Sequence, residues 1–116
     1  MSDPPKDSIL NVTKKLLNAP VDYDVFDIDI ITYINSVFAI LSQMGVGPRD
    51  GFFIQDDSAS WADYIKDNPN LNGVQSYMVM KVRMMFDMPT TSFAITAMEK
   101  MCAEFEWRLN VVSETP

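Results

Sequence analysis

The sequence contains no histidine, a single cysteine and only nine cationic side chains against sixteen carboxylates. Without histidine, the commonest general base, the usual near-neutral proton switch and the commonest neutral metal ligand are all missing. One cysteine, Cys102, excludes an internal disulfide. It sits in an apolar helical pattern and reads as a small buried hydrophobe, since a reactive thiol wants an accessible, positive setting. A net charge of −7 argues against a strong phosphate-binding surface, because affinity for nucleic acid comes largely from cations displacing condensed counterions. Lys81 and Arg83 form a local basic pair, too small for a DNA-binding module. No apolar run approaches the roughly 20 residues that span a bilayer. The segment 1–6 lacks the basic-then-apolar order of a secretory signal, so the chain is expected to remain in the cytosol where it is made until something assembles it.

What is present is a core. With 116 residues, 47% of them hydrophobic, the chain is expected to form one domain over 1–116, with 1–6 and 113–116 as mobile ends. A domain of this length hides roughly 65% of the surface its unfolded chain exposes. Asp7 or Ser8 can cap a first helix over about 9–17, with Ile9, Val12, Leu16 and Leu17 facing inward and Ala19-Pro20 ending it. Ile30, Ile31, Ile34, Val37, Phe38, Leu41 and Met44 then recur at spacings of one, three and four, one wide apolar stripe. Asp27 suits the positive end of that helix, and Gly45 sits where a left-handed C-terminal cap is needed. Ser60-Trp-Ala-Asp63 has capping-box spacing, with Asp in place of the usual Glu, and opens a short helix to about Lys66. Asn68-Pro69-Asn70 reads as a turn whose Asn70 can cap the next helix. That helix, over about 71–86, carries Leu71, Val74, Met78, Val82, Met85 and Phe86 on its stripe and stops before Pro89. Thr91 or Ser92 caps a last helix to about Leu109, lined by Ile95, Met98, Cys102, Phe105 and Leu109, followed by a short unstructured tail. The pattern predicts an all-α fold: a small bundle of four main helices plus one short helix, with a loop or short extended segment near residues 49–57.

No constellation points to catalysis or a cofactor. Asp22, Asp24, Asp27 and Asp29 superficially suggest calcium, but an EF-hand loop would want an oxygen ligand at Phe26, glycine at Asp27 and glutamate at Tyr33. Helix capping and a solvated acidic face explain the cluster. Asp56-Asp57 lies on a polar loop, where nothing would drive two carboxyl pKa values apart. The chain is expected to be no enzyme, and to use no metal and no cofactor.

The surplus of apolar residues points instead to contact with other chains. Nine methionines are many, and most lie in the last two helices. Met78, Met85 and Met98 suit the core, whereas Met80, Met84 and Met101 fall off the main stripes. A helix apolar on more than one side is central to its domain or covered by a neighbour. With Phe93 these residues are candidates for a subunit interface, set against a thick core. One of Phe52 and Phe53 should face outward, as alternate residues of an extended piece do, unless the loop folds back and buries both. Trp107 either packs on the first helix or marks where the tail Val111-Val112 leaves to meet another chain.

Asn35-Ser-Val-Phe38, Gly45-Val-Gly-Pro48, Trp61, Lys81-Val-Arg83, Phe86-Asp87, Pro89 and Glu106-Trp-Arg-Leu-Asn110 together resemble the head–tail connector proteins of tailed bacteriophages, the adaptor or head-completion subunits. The resemblance covers roughly residues 8–110. It implies a small helical bundle, a structural virion protein at the head–tail junction, and a homo-oligomer that forms a twelvefold ring beneath the portal. A stopper or tail-completion protein would sit below, and DNA would pass through the hole without sequence-specific binding. It also implies that the C-terminal tail and the loop after Gly45 make subunit or portal contacts. The candidate interface residues are then Phe52, Phe53, Met80, Lys81, Arg83, Met84, Phe93, Met101, Trp107, Val111 and Val112. The free chain is expected to be monomeric until a template orders it, and the negative charge to keep passing DNA from adhering. The rival reading is a small cytosolic assembly chaperone or regulator that binds one protein through a Met-rich helical face.

Overall fold

The computed structural model describes residues 3–66, 68, 71 and 73–114, with side chains through Val111. Five helices occur among them: α1 (Ile9–Leu16), α2 (Asp27–Gln43), α3 (Trp61–Ile65), α4 (Gly73–Phe86) and α5 (Ser92–Glu114). No strand occurs among the described residues, so the all-α fold predicted from periodicity is the one observed. The helices form a slab measuring 41 × 38 × 19 Å. The expected Asn70 cap lies outside the described residues.

Two helix starts are stitched together. Ser8 Oγ accepts the Asn11 amide at 3.2 Å and opens α1. Ser60 and Asp63 cap α3 reciprocally: each side chain accepts the other's amide, both at 3.0 Å. Asp7 belongs to α3 rather than α1, because its Oδ2 accepts the Ala62 amide at 3.0 Å. Backbone bonds from Ile9 to Ala59 and from Trp61 to Asp7, both 2.9 Å, complete the seam. Helix N-termini leave amides without intrahelical partners, and here each terminus borrows acceptors from the other's flank.

α2 is the central element. Ile30, Ile34, Val37, Phe38 and Leu41 are buried along it, and α4 answers with Val74, Tyr77, Met78 and Val82. Side chains of this kind contribute about 1.5–3 kcal/mol each when fully removed from water, so this seam carries most of the core. α2 ends as its glycine demands. Gly45 has φ +81°, and the Val46 amide reaches the Leu41 carbonyl at 2.9 Å while the Gly45 amide reaches Ser42 at 3.0 Å, the double bond of a Schellman cap.

The loop that follows is pinned by one side chain. Asn35 donates from Nδ2 to the Ile54 carbonyl at 2.9 Å, and its Oδ1 accepts the Ile54 amide at 2.8 Å. This amide pair does what a neighbouring strand would do, and it draws Phe52 over α2. Phe52 meets the rings of Phe38 and Tyr64 at centroid distances of 5.1 and 5.2 Å, and Trp61 completes the nest. Gly47 is required there. Its φ is +92°, and a Cβ would lie 2.5 Å from Tyr64 Oη. Tyr64 is so enclosed that burial pushes its hydroxyl pKa up to about 12.

Three sequence expectations need correction. On α1, Ile9 and Leu17 are buried as expected and Val12 is partly buried against the core, but Leu16 is about half exposed, and Leu10, Thr13 and Lys14 are buried instead. The face turns because Lys14, only 1% exposed, is drawn inward: Nζ donates to the carbonyls of Val21 and Tyr23 at 2.9 and 3.0 Å and pairs with Asp27 at 2.7 Å. Met85, expected in the core, is exposed, because Val82 and Phe86 already occupy the inward positions on either side. The last helix does not stop near Leu109 before an unstructured tail; it continues to Glu114. No proline or glycine interrupts 109–114, so nothing local ends it.

Candidate interaction surface

α5 docks mainly on α4, through a mixed apolar and polar seam. Cys102 and Leu109 are buried in it. Phe105 lies over Gly73, where an added Cβ would come within ordinary contact distance of its ring, 3.9 Å. Tyr77 Oη donates to Glu106 Oε2 at 2.6 Å, and Lys81 Nζ approaches the same oxygen at 3.6 Å. Burial first, and then this carboxylate, raise the Tyr77 hydroxyl pKa far above its ordinary value. Burial likewise raises Cys102, whose thiol donates to Met84 Sδ at 3.7 Å. The thiol is therefore biased toward its protonated form inside the bundle.

This seam decides where the candidate residues go. Met80 and Met84 are half-buried against the core, as is Phe52. Lys81 is engaged by Glu106 and stands 5.9 Å from the Tyr77 ring centroid; Arg83 is half-buried on α4. Lys81 and Arg83 thus do not form an open basic patch. Phe53, by contrast, is 65% exposed, so the pair 52–53 divides between core and solvent. Phe93 at 84%, Trp107 at 67%, Met101 and Val111 all stand open on α5. At that exposure the Trp107 ring lies mostly in water. Val112 lies outside the described side chains. Met80 and Met101 do come together, lining with Leu16 and Phe105 a surface groove of about 380 Å³.

A second apolar area had no sequence signal that singled it out. Val21, Tyr23, Val25, Phe26 and Ile28, in the α1–α2 connection and the first turn of α2, are all exposed, Ile28 at 80%. The Phe26 ring meets Phe86 at 5.5 Å and Tyr23 at 5.9 Å. Beneath them Lys14, Leu17, Ile30 and Phe86 help line a cleft of about 270 Å³. The alternation of these residues with Asp22, Asp24 and Asp29 disguised them as a solvated acidic stretch. The available signal was the five apolar residues themselves, placed outside any helical stripe.

On the 49–57 loop, Asp56 is held below the usual carboxylate pKa by the Ser58 hydroxyl and amide. Large apolar side chains in contiguous exposed groups mark surfaces that meet other macromolecules. No helix among the described residues is long and apolar enough to cross a membrane.

Comparison with curated proteins and with solved structures gives no significant match. A family model described as phage connector protein matches residues 9–116, which takes in the whole bundle and both apolar areas. The chain therefore belongs to the phage connector protein family.

Proposed function

We propose that this connector is a head–tail adaptor that assembles as a ring beneath the portal, links the DNA-filled head to the tail or stopper, and lets DNA pass through. Membership of the connector family supports a structural role among phage head and tail proteins. The observation that carries the finer reading is the excess of open apolar surface at two separated places: the 21–28 connection and the outer side of α5. A subunit in a ring touches a neighbour on each side and a further protein above or below, so it needs more than one such surface. Weak contacts at each are enough, because closure multiplies them.

The 21–28 area suits a partner with an apolar anchor flanked by cations, since its own rim carries Asp22, Asp24 and Asp29. The net charge of −7 suits a lumen that repels passing DNA. The Met-rich chaperone reading is less well supported, because Met80 and Met84 are already half-buried against the core.

Mixing the purified chain with portal protein tests the reading. Native mass and negative-stain images are expected to show a closed ring on the portal. A discrete complex with one copy of a partner, or no complex at all, would overturn it, and a lumen lined mainly by lysine and arginine would remove the charge argument.

A further inference from the structure

The outer side of α5 carries a pattern beyond mere exposure. Phe93, Ala97, Lys100, Glu104, Trp107 and Val111 are all exposed, and their spacing alternates four and three. At about 100° per residue they form one straight stripe, opposite the buried Cys102 and Leu109. Alternating spacings of four and three are the a and d positions of a coiled-coil seam. Phe93, Lys100 and Trp107 take d; Ala97, Glu104 and Val111 take a.

The stripe is complementary to itself when reversed. Placed antiparallel about a two-fold axis beside position 102, Phe93 meets Val111 of the second copy, Ala97 meets Trp107, and Lys100 meets Glu104. Every layer then pairs an a with a d residue, large meets small in all four apolar layers, and each charge meets its opposite in the two middle ones. Met101 of each copy falls near the axis on one flank. A parallel arrangement in register puts Lys100 on Lys100, Glu104 on Glu104 and Trp107 on Trp107, and like charges in the two middle layers oppose it.

We propose that the outer face of α5 pairs antiparallel with α5 of a second copy of this chain, giving a two-fold dimer whose register is set by Lys100 against Glu104. This goes beyond the ring reading and does not depend on it. A two-fold contact uses the same patch on both subunits and closes on itself, so the dimer is a form of the free protein, in place of the monomer expected from the sequence. It covers Trp107 and Phe93 while no other protein does.

Charge reversal tests this in the full chain. Sedimentation across a wide concentration range is expected to show a monomer–dimer equilibrium. Lys100→Glu and Glu104→Lys, each alone, replace two attractive layers with repulsive ones and are expected to weaken association by about tenfold or more. An equimolar mixture of the two variants restores opposite charges in both layers and is expected to form a heterodimer about as tight as the parent. Both positions are exposed, and circular dichroism verifies that the helices are retained. Trp107 supplies an independent readout, because its emission should shift to the blue as the parent is concentrated, while Trp61 is already buried. A parent that stays monomeric throughout overturns the proposal. So do single variants that associate like the parent, or a mixture that shows no preference for the mixed pair.

Discussion

The eight-residue α1 and the 23-residue α5 divide inside from outside in opposite ways. α1 turns a lysine inward and leaves Leu16 in water; α5 turns a tryptophan and a phenylalanine outward. A buried ammonium is tolerable only when each of its protons finds an acceptor. Lys14 meets that condition with two carbonyls from the segment that leads into α2 and the carboxylate of Asp27, the first residue of α2. No comparable arrangement encloses Phe93 or Trp107. Burial in α1 thus serves to hold the fold, by clamping the 21–27 connection onto the first helix. Exposure in α5 serves nothing within a single chain. The comparison separates residues that make the bundle from residues that the bundle presents.

Removing the Lys14 ammonium should break the comparison most severely. Lys14→Ala strands Asp27 and the carbonyls of Val21 and Tyr23. Loss of one partner from a buried pair costs about 3–5 kcal/mol, and the lower end applies because Asp27 keeps some contact with water. The urea midpoint is expected to fall by the equivalent of about 3 kcal/mol, and the 21–28 apolar area should lose its arrangement with the clamp. A loss under about 1 kcal/mol, the range of an exposed pair, would show that the clamp is dispensable.

Asn35 offers a smaller effect of the same kind. Asn35→Ala leaves the amide and carbonyl of Ile54 without their partners, and two unsatisfied groups at a largely buried site cost about 2 kcal/mol together. Hydrogen exchange at the Ile54 amide should accelerate more than exchange in the α2–α4 core, and Asn35→Asp, which keeps only the acceptor, should fall between. Unchanged exchange at Ile54 would mean that the aromatic nest of Phe38, Phe52 and Tyr64 holds the loop unaided.

These two residues also mark where the sequence stopped being readable. The helices were legible because their apolar periods are local, and the Ser60–Asp63 and Gly45 caps were legible because capping uses neighbours within a few positions. Lys14 and Asn35 act across seven to nineteen residues on backbone groups, and backbone groups have no letter in the sequence. Composition rules place a lysine outside, so Lys14, whose partners are invisible in the sequence, is missed on the inner face of α1. Of the candidate residues, Phe53, Phe93, Met101 and Trp107 are exposed, while Met80, Met84 and Phe52 are half-buried. Off-stripe position says that a residue leaves one face of a helix. It does not say whether a second helix waits there, as α5 does for Met84.

The smallest effect belongs to Trp107. At 67% exposure its ring contributes little to the isolated bundle, and alanine is the better helix former. Trp107→Ala is therefore expected to change the unfolding free energy of the dilute chain by no more than about 0.5 kcal/mol in either direction. Thermal unfolding at low concentration checks this against Lys14→Ala under the same conditions. The contrast sharpens on concentration, because a partner that binds only the folded state raises its apparent stability. The parent's Tm should then climb and that of Trp107→Ala should climb less. A loss of several kcal/mol in the dilute variant would mean that Trp107 holds the bundle together, and α5 would then differ from α1 only in degree.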